Sequence, residues 1–371
     1  MLSALRPVRE PGAKHSLRQL IEIANWGSRL LVSANDYRFH RFHMKGSPTG
    51  EITRFLSAPR GKDLIWSLNR DPGLLEDKLL FENHFGSAGL PVTRTRALVG
   101  PLSERQRDAA GERAVLGAAN VIDYVYDIVG GGTSLVLKRL DGMLSKGVTV
   151  IVDVRGGMFV LSDGTESSAQ DLIHRLSSGT WLVQERVQQH SVLDSYSSVS
   201  LNTIRLGTFR RNDGTVDIEH AILRIGVSTA QTDALWSGGM AVPLDVETGA
   251  FAGEAYRKLG GVTNQIWLHP ETKVPFAGAF FPEWDRVVET AREFARHAGD
   301  NVYVGWDIAG TPEGPLFTEG NHNWNISFAQ LGSSGMLTDE FLEKYRSETG
   351  RMIDITTMPR VRPLAALREL R

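Results

Sequence analysis

Three oxygen-bearing side chains lie at the end of two strand-like segments. In "GPLFTEGNHNWN", Glu319 and Asn321 are two residues apart, so on an extended strand they point to the same face. Asp307 lies on the preceding segment, "NVYVGWDIAG", and the turn "TPEG" sets it opposite Glu319 if the strand parity matches. Two carboxylates and an amide oxygen on one face suit Mg²⁺, which also takes water and phosphate ligands.

The same residues have a simpler interpretation as solvated side chains on a surface hairpin. The flanking sequences "VYVGWDIAG" and "PLFTEGN" argue against it, because they are apolar and predict burial. A buried carboxylate without a partner is costly. On these residues alone both interpretations stay open.

A cationic side chain that could bind phosphate occurs on another predicted strand. Lys138 lies in "SLVLKRL", just before the glycine-flanked segment "DGMLSKGV". A strand lysine followed by a loop of backbone amides suits a phosphate group. The loop is not a Walker A motif, because Gly147 is followed by valine, and a plain hairpin connection also explains it.

Two arginines occur in otherwise apolar strands. Arg205 lies in "NTIRLGTF" and Arg224 in "AILRIGV", and the turn "NDGT" joins these strands as a hairpin. An arginine is expensive to bury unless it meets an anion, so the pair predicts phosphate or carboxylate binding. The alternative is a structural ion pair with a nearby acid such as Asp217 or Glu219.

Composition and motifs exclude several other chemistries. The 371 residues include no cysteine, which excludes disulfides, a thiol nucleophile and cysteine-bound zinc. The motifs HExxH, GxSxG and GxGxxG do not occur. Of the scattered histidines, only His190 stays open for a chemical role.

The charge and hydropathy of the chain restrict its partners and its location. The formal net charge is −2 without a long run of one sign, which argues against a nucleic-acid or anionic-membrane partner. No apolar run approaches the roughly 20 residues of a membrane span, and the charged N-terminal segment is not a secretory signal. We therefore expect a cytoplasmic protein.

The predicted elements indicate an α+β fold. Residues 1–75 form a helical N-terminal region, and a single helix covers "LLEDKLLFENHFGSAGL". Short strands such as "TSLVLKRL", "GVTVIVDV" and "TWLVQERV" dominate residues 76–186. Residues 187–335 combine strands with the amphipathic helix "PEWDRVVETAREFARHAG", and residues 336–371 form a charged helical tail.

The order of these features resembles the ATP-grasp superfamily. The shared features are an early "EDKLLF", a strand lysine before a glycine loop, "LVQERV", strand arginines and a late "D…EGN". The segment "SSVSLNTIRLGTF…AILRIG…WSGGMAVPLDVETG…GWDIAGTPEGPLFTEGN" is similar to the sugar-transfer-associated branch, and the resemblance covers residues 37–331. It implies two α+β subdomains that clasp ATP. The helical N-terminal region departs from the Rossmann-like domain that superfamily enzymes often carry.

The resemblance also implies roles in ATP binding. Residues 76–186 would be the smaller subdomain with the phosphate-binding lysines, and residues 187–335 the larger subdomain with the metal site. The loop between residues 142 and 147 would close over the nucleotide, and residues 184–187 would form the adenine hinge. The residues implied in ATP binding are Lys78, Lys138, Gly142, Ser145, Lys146, Gly147, Gln184, Glu185, Val187 and Asp194.

For the metal and the substrates, the resemblance implies a second set. Asp307, Glu319 and Asn321 would bind two Mg²⁺ ions, or Mn²⁺ in their place, with Glu319 bridging. Arg205 and Arg224 would hold the transferring phosphate or the acyl phosphate. The residues expected to approach the substrate are Asn202, Ser237, Gly238, Gly239 and Asn323. For Gly238 and Gly239 a tight turn is an equal explanation.

The reaction that the resemblance implies begins with phosphoryl transfer from ATP to a carboxylate. An amine then attacks the acyl phosphate and gives an amide, ADP and phosphate. We expect small-molecule or peptide substrates, and a homodimer is possible. The alternatives are a phosphotransferase that acts on a hydroxyl and a degenerate nucleotide-binding module. The complete set of acids and lysines argues against the degenerate module.

Overall fold

The computed structural model describes residues 6–353, apart from residues 31, 48, 141–146, 231, 236, 237 and 260. The α-helices are α1 Ser16–Leu30, α2 Ala34–Phe39, α3 Ala58–Leu68, α4 Pro72–Glu76, α5 Lys78–Ser87, α6 Glu104–Ala110, α7 Asn120–Gly130, α8 Ala169–Leu176, α9 Ser191–Asp194, α10 Trp284–Arg296 and α11 Asp339–Thr349. Short 3₁₀ helices cover Thr49–Arg54 and Phe328–Gln330.

The strands fall into an N-terminal and a C-terminal group. The N-terminal group is β1 Thr95–Val99, β2 Ala114–Leu116, β3 Leu135–Arg139, β4 Val148–Arg155, β5 Met158–Leu161, β6 Glu166–Ser167 and β7 Trp181–Glu185. The C-terminal group is β8 Thr203–Arg210, β9 Val216–Ile225, β10 Met240–Leu244, β11 Ala255–Leu259, β12 Val262–Ile266, β13 Tyr303–Thr311 and β14 Gly314–Asn321.

The N-terminal group forms one sheet, here called the first sheet, in the order β2-β1-β7-β3-β4-β5-β6. Neighbouring strands are antiparallel except for β1 and β2. Residues of α7 and α8 pack on one face, and Leu135 and Leu137 of β3 point into that core. Because side chains alternate along a strand, Lys138 points to the opposite face.

The C-terminal group forms the second sheet, which is antiparallel throughout, in the order β12-β11-β10-β9-β8-β13-β14. Helix α10 packs on one face, where the ring of Phe294 stacks on that of Phe317 with 3.8 Å between centroids. Ile204 and Leu206 of β8 point into this core. Arg205 therefore points to the opposite face of the sheet.

The N-terminal helices are joined to the second sheet by hydrogen bonds of two buried amides. The backbone N–H of Leu56 donates to Gln330 Oε1 at 2.7 Å, and Gln330 Nε2 donates back to the carbonyl of Leu56 at 2.9 Å. Asn69 Nδ2 donates to the carbonyls of Tyr303 and His322 at 2.8 and 2.7 Å. These contacts fix the helices against β13 and the segment that follows β14.

The helix predicted over "LLEDKLLFENHFGSAGL" is wrong as one continuous element. The chain forms α4 and α5 there, with a break at Asp77. Asp77 has extended backbone geometry, and its Oδ1 accepts hydrogen bonds from the backbone N–H groups of Leu79 and Leu80 at 2.9 and 3.1 Å. It is therefore the N-cap of α5. As a result Lys78 is the first residue of a helix and not part of its middle.

The α+β prediction is confirmed, and the segments read as strands form β3, β4, β7 and the hairpins β8–β9 and β13–β14. The boundaries at residues 75, 186 and 335 stay predictions. Among the described residues, no helix combines the length and the apolar character needed to cross a membrane.

Candidate active site

The hairpin β13–β14 brings the predicted metal ligands together. Asp307 and Glu319 are directly paired across the two strands, so the expected parity is confirmed, and a bulge follows between Asp307 and Ile308. Asn321 Nδ2 lies 3.5 Å from Glu319 Oε1. Burial and the negative charge of Asp307 raise the pKa of Glu319. The hairpin therefore holds two close acidic groups where a positive charge would be stabilising.

Arg205 and Arg224 both bind Asp307. Arg205 Nη2 donates to Asp307 Oδ2 at 3.0 Å, and its Nε donates to Oδ1 of the same carboxylate. Arg224 Nη2 donates to Oδ2 at 2.8 Å. Burial acts to raise the pKa of Asp307, but the two guanidinium groups together hold it well below its usual value. Asp307 is thus ionised and organises both arginines.

The predicted alternative partners of these arginines are wrong. Asp217 and Glu219 bind elsewhere, because Arg211 Nε lies 2.6 Å from Asp217 Oδ2 and Lys344 Nζ lies 2.7 Å from Glu219 Oε1. Both arginines do form structural ion pairs, but with Asp307 in place of Asp217 or Glu219. Asp307 is itself a predicted metal ligand. The arginine and metal sites are therefore one connected group and not two separate ones.

Two lysines face this group from the first sheet and from α5. Burial and the positive charge of Lys78 lower the pKa of Lys138 to about 8, and the charges of Glu319, Glu82 and Asp307 oppose that shift. Lys138 is therefore within electrostatic reach of the acidic hairpin on the second sheet. Lys78 Nζ donates to the carbonyl of Leu140, at the end of β3, at 3.3 Å. The charges of both lysines therefore act on the acidic hairpin, from the first sheet and from α5.

The predicted adenine hinge begins at the end of β7 in the first sheet and continues past the strand. Gln184 is buried, and its Nε2 donates to Thr95 Oγ1 at 3.0 Å. Glu185 forms an ion pair with Arg96. Beyond the strand, Asp194 is exposed and its Oδ1 accepts from Gln189 Nε2 at 2.7 Å. The roles of Gln184, Glu185, Val187 and Asp194 toward a nucleotide stay predictions.

The predicted substrate residues differ in accessibility. Asn202 has no exposed surface, and its Nδ2 donates to Gln189 Oε1 and to the carbonyls of Leu193 and Ser197 at 3.2, 3.0 and 2.8 Å. Asn202 is therefore buried and connects loop segments. Asn323 is half-buried in the segment after β14.

Gly238 and Gly239 are explained by backbone geometry. Gly238 has φ +90°, where a side chain would be strained. A Cβ on Gly239 would lie 2.8 Å from the carbonyl oxygen of Asp233 and 2.9 Å from that of Ala234. The tight-turn interpretation thus accounts for both glycines. The described residues do not include Gly142, Ser145, Lys146 and Ser237. Gly147, the first described residue after position 146, has φ +77°.

Two residues of the site, Thr203 and Asp233, were not predicted from the sequence. Asp233 Oδ2 accepts from Thr203 Oγ1 at 2.6 Å and lies 3.3 Å from Arg224 Nε. Thr203 could have been found, because it precedes Arg205 by two residues and so shares its face of the sheet. Asp233 follows "AQT" in a segment without periodicity, so nothing in its spacing indicates a contact with a strand.

The side chains of Asp307, Glu319 and Asn321 fit an Mg²⁺ ion whose remaining ligands would be phosphate oxygens and water. Within the described residues, no group of three or more His, Cys, Asp or Glu side chains could hold a metal. Mg²⁺ does not require such a group, because proteins bind it through one or two carboxylates together with phosphate oxygens and water. The like charges of Asp307 and Glu319, together with the amide oxygen of Asn321, match that need.

Comparison with known families identifies the class of protein that has this fold and site. The sequence profile described as "Sugar-transfer associated ATP-grasp" matches residues 67–344. The protein is therefore an ATP-grasp protein. Within that superfamily, the chain belongs to the sugar-transfer-associated ATP-grasp family. A comparison with curated proteins finds no match.

Solved structures of other proteins are similar over part of their length. Biotin carboxylase from Campylobacter jejuni has 14% identity and a TM-score of 0.40 over 77% of this chain and 48% of its own. An N5-carboxyaminoimidazole ribonucleotide synthetase has 13% identity and a TM-score of 0.37 over 69% and 46%. D-alanine–D-alanine ligase from Bacillus anthracis has 12% identity and a TM-score of 0.37 over 75% and 70%. The chain thus spans less than half of the first two.

Proposed function

We propose that the protein is an ATP- and Mg²⁺-dependent ligase that joins a carboxylate to an amine through an acyl phosphate. Membership of the ATP-grasp superfamily supports this class of reaction. The particular carboxylate and amine are small molecules or a peptide segment. The protein needs no side-chain nucleophile for this chemistry, because its task is to position the reactants and neutralise their charge.

The observation that carries the proposal is the pair of arginines that share Asp307. Each guanidinium group uses its Nε and Nη2 for protein contacts, and within the described residues neither Nη1 makes a hydrogen bond. The side chains of Arg205 and Arg224 keep 15% and 20% of their surface exposed. Two oriented donors therefore remain for an anion. They could hold a carboxylate and then stabilise the oxyanion that forms when an amine attacks.

In this proposal the lysines and the acidic hairpin bind ATP and its metal ions. Lys78 and Lys138 would bind the phosphates of ATP, and Asp307, Glu319 and Asn321 would hold one or two Mg²⁺ ions, with Glu319 shared. Bound Mg²⁺ supplies charge neutralisation for the transferring phosphoryl group. The adenine would lie against residues 184–187.

A phosphotransferase that acts on a hydroxyl is the second candidate. The observation that favours it is the raised pKa of Glu319, because a general base near the phosphoryl acceptor would help to remove the hydroxyl proton. Glu319 can serve as a base only if it is not taken up by the metal. The ligase proposal uses all of the charged groups and requires no base, so we favour it.

Trapping of the intermediate separates the two candidates. We expect that protein incubated with ATP, Mg²⁺ and pooled carboxylates and amines will release free phosphate. Added hydroxylamine should give a hydroxamate, because an acyl phosphate is a mixed anhydride that this nucleophile attacks. Products are analysed by mass spectrometry. ADP with a stable phosphorylated product and no free phosphate would replace the ligase proposal with the phosphotransferase.

Substitution of Lys138 tests the proposed phosphate-binding lysines. Lys138→Ala should weaken ATP by about tenfold or more and leave adenosine unchanged, because a contact with phosphate is lost while residues 184–187 stay intact. Calorimetry with the two ligands measures the difference. Lys45→Ala, at an exposed lysine, is the matched control. Equal weakening of ATP and adenosine would mean that Lys138 is structural.

The pH dependence of ATP affinity provides an independent check. The charged form of Lys138 binds phosphate, and its pKa is about 8 in the folded protein. ATP affinity should therefore be highest below pH 8 and should fall about tenfold between pH 7 and pH 9. In Lys138→Ala this fall should disappear. A fall of the same size in the variant would assign the pH dependence to another group.

A further inference from the structure

The guanidinium group of Arg224 lies between two carboxylates. Asp307 Oδ2 is 2.8 Å from its Nη2, and Asp233 Oδ2 is 3.3 Å from its Nε. Asp307 belongs to β13, whereas Asp233 belongs to the segment between β9 and β10. Arg224 is therefore held both from a neighbouring part of the second sheet and from the segment that connects β9 to β10.

The hydroxyl group of Thr203 bridges Asp233 and Arg224. Thr203 Oγ1 donates to Asp233 Oδ2 at 2.6 Å and accepts from Arg224 Nε at 3.2 Å, and it also accepts from Nη2. The backbone N–H of Thr203 donates to the same carboxylate oxygen at 3.2 Å. Asp233 and Thr203 are 6% and 5% exposed, so these bonds are shielded from water. A shielded charged hydrogen bond restricts an arginine far more than an exposed one does.

The tight turn at Gly239 brings Asp233 to this position. The backbone N–H of Gly239 donates to the carbonyl of Ala234 at 3.2 Å, and that of Gly238 donates to the carbonyl of Leu235 at 3.3 Å. A side chain at Gly239 would displace the backbone of Asp233. The hydrogen bonds of Gly238 and Gly239 therefore hold the segment that carries Asp233 beside the start of β10.

We propose that Asp233 is a positioning residue that acts through Thr203 and Arg224 to aim the remaining donor of Arg224, Nη1, at the anionic substrate. The proposal rests on the anion-binding role of the arginine pair in the proposed function. Asp233 is buried and its Oδ2 is bound by Thr203 and Arg224, so we assign it a role through these two residues and not a direct contact with the substrate. It fixes the plane of the guanidinium group before an anion arrives, so that less side-chain entropy is lost on binding.

Binding of inorganic phosphate tests the proposal without knowledge of the substrate. Phosphate is titrated by calorimetry into protein saturated with MgADP, and MgADP affinity is measured separately. We expect Asp233→Asn to weaken phosphate by about tenfold, the effect of losing a hydrogen bond to a charged group, and to leave MgADP affinity within about twofold. Asp217→Asn, at an aspartate that binds Arg211 in the same sheet, is the matched control and should change neither affinity.

A double-mutant cycle separates positioning from a general structural role. In an Arg224→Met background, Asp233→Asn should weaken phosphate by less than about twofold, because the side chain through which Asp233 acts is gone. If Arg224→Met does not fold, Thr203→Val replaces it, since this near-isosteric change removes the hydroxyl between Asp233 and Arg224. Combining Thr203→Val with Asp233→Asn should weaken phosphate no more than either change alone.

Three results would overturn the proposal. Additive losses in the cycle would show that Asp233 does not act through Arg224. Equal losses of phosphate and MgADP in Asp233→Asn would show that it only maintains the fold. Failure of the wild-type protein to bind phosphate would remove the anion site itself. The proposed ligase reaction is judged separately by the hydroxamate, so the two proposals can fail independently.

Discussion

Glu319→Gln is expected to fold as the wild-type protein does and to lose ATP-dependent turnover by a factor of about 10² or more. Glutamine keeps the shape of the side chain and one oxygen, but it removes a negative charge beside Asp307. That charge would hold the cation that neutralises the transferring phosphoryl group. The loss should appear in the turnover number at saturating Mg²⁺, which distinguishes it from weaker metal affinity alone.

The same substitution should not reduce stability. The pKa of Glu319 is raised in the folded protein, so ionisation of this carboxyl group opposes folding once the pH rises above the ordinary glutamate range. Glutamine resembles the protonated form. The free energy of unfolding of the variant should therefore equal or exceed that of the wild type at neutral pH, and the difference should vanish at low pH. Thermal unfolding at both pH values measures it.

Glu313→Gln is the matched control, because Glu313 is an exposed glutamate in the turn of the same hairpin. It should leave both turnover and stability unchanged. If Glu319→Gln had the same turnover number as the wild type at saturating Mg²⁺, the hairpin would not be the metal site. A large loss of stability would instead mean that Glu319 stabilises the fold, contrary to the direction of its pKa.

Arg205→Lys is expected to lower turnover by a factor of about 10² to 10³, the size of effect that follows loss of one oriented oxyanion donor. Arg205 uses Nε and Nη2 for Asp307, and its Nη1 makes no hydrogen bond to the described residues. Lysine keeps the positive charge but offers one nitrogen, so it cannot bind Asp307 in two places and an anion at the same time. Affinity for ATP should change far less, because Lys78 and Lys138 would bind the nucleotide.

Arg211→Lys provides the control for this change, since Arg211 pairs with Asp217 elsewhere on the second sheet. It should leave steady-state turnover unchanged. If Arg205→Lys retained turnover within a few-fold of the wild type, the role of Arg205 would be limited to pairing with Asp307. In that case the ion-pair interpretation of the two arginines would be sufficient.

The sequence was informative where regular periodicity determines the geometry. The two-residue period of strands and a short turn predicted that Asp307 would pair with Glu319, and the structure confirms it. Such relations depend on local backbone geometry alone, so a single sequence is enough to predict them.

Contacts between distant segments were not predictable in that way. The partners of the arginines were expected among acids close in sequence, but Asp307 is far along the chain from both. Asp233 reaches Arg224 only because a turn without periodic sequence folds back on the sheet. The break at Asp77 was missed because an aspartate, although it favours an N-cap, is also tolerated inside helices, and tertiary packing decides between the two.

The pairing of Leu56 with Gln330 has a consequence for the size of the functional unit. The region that matches the family begins at residue 67, yet the backbone of Leu56 completes the hydrogen bonds of a buried amide that follows the acidic hairpin. A polypeptide that started at residue 67 would leave both polar groups of Gln330 without these partners, beside the chain that leads away from Asn321. The residues before the family region thus stabilise the segment that follows the acidic hairpin. The structural unit around the hairpin therefore extends beyond the region of sequence similarity.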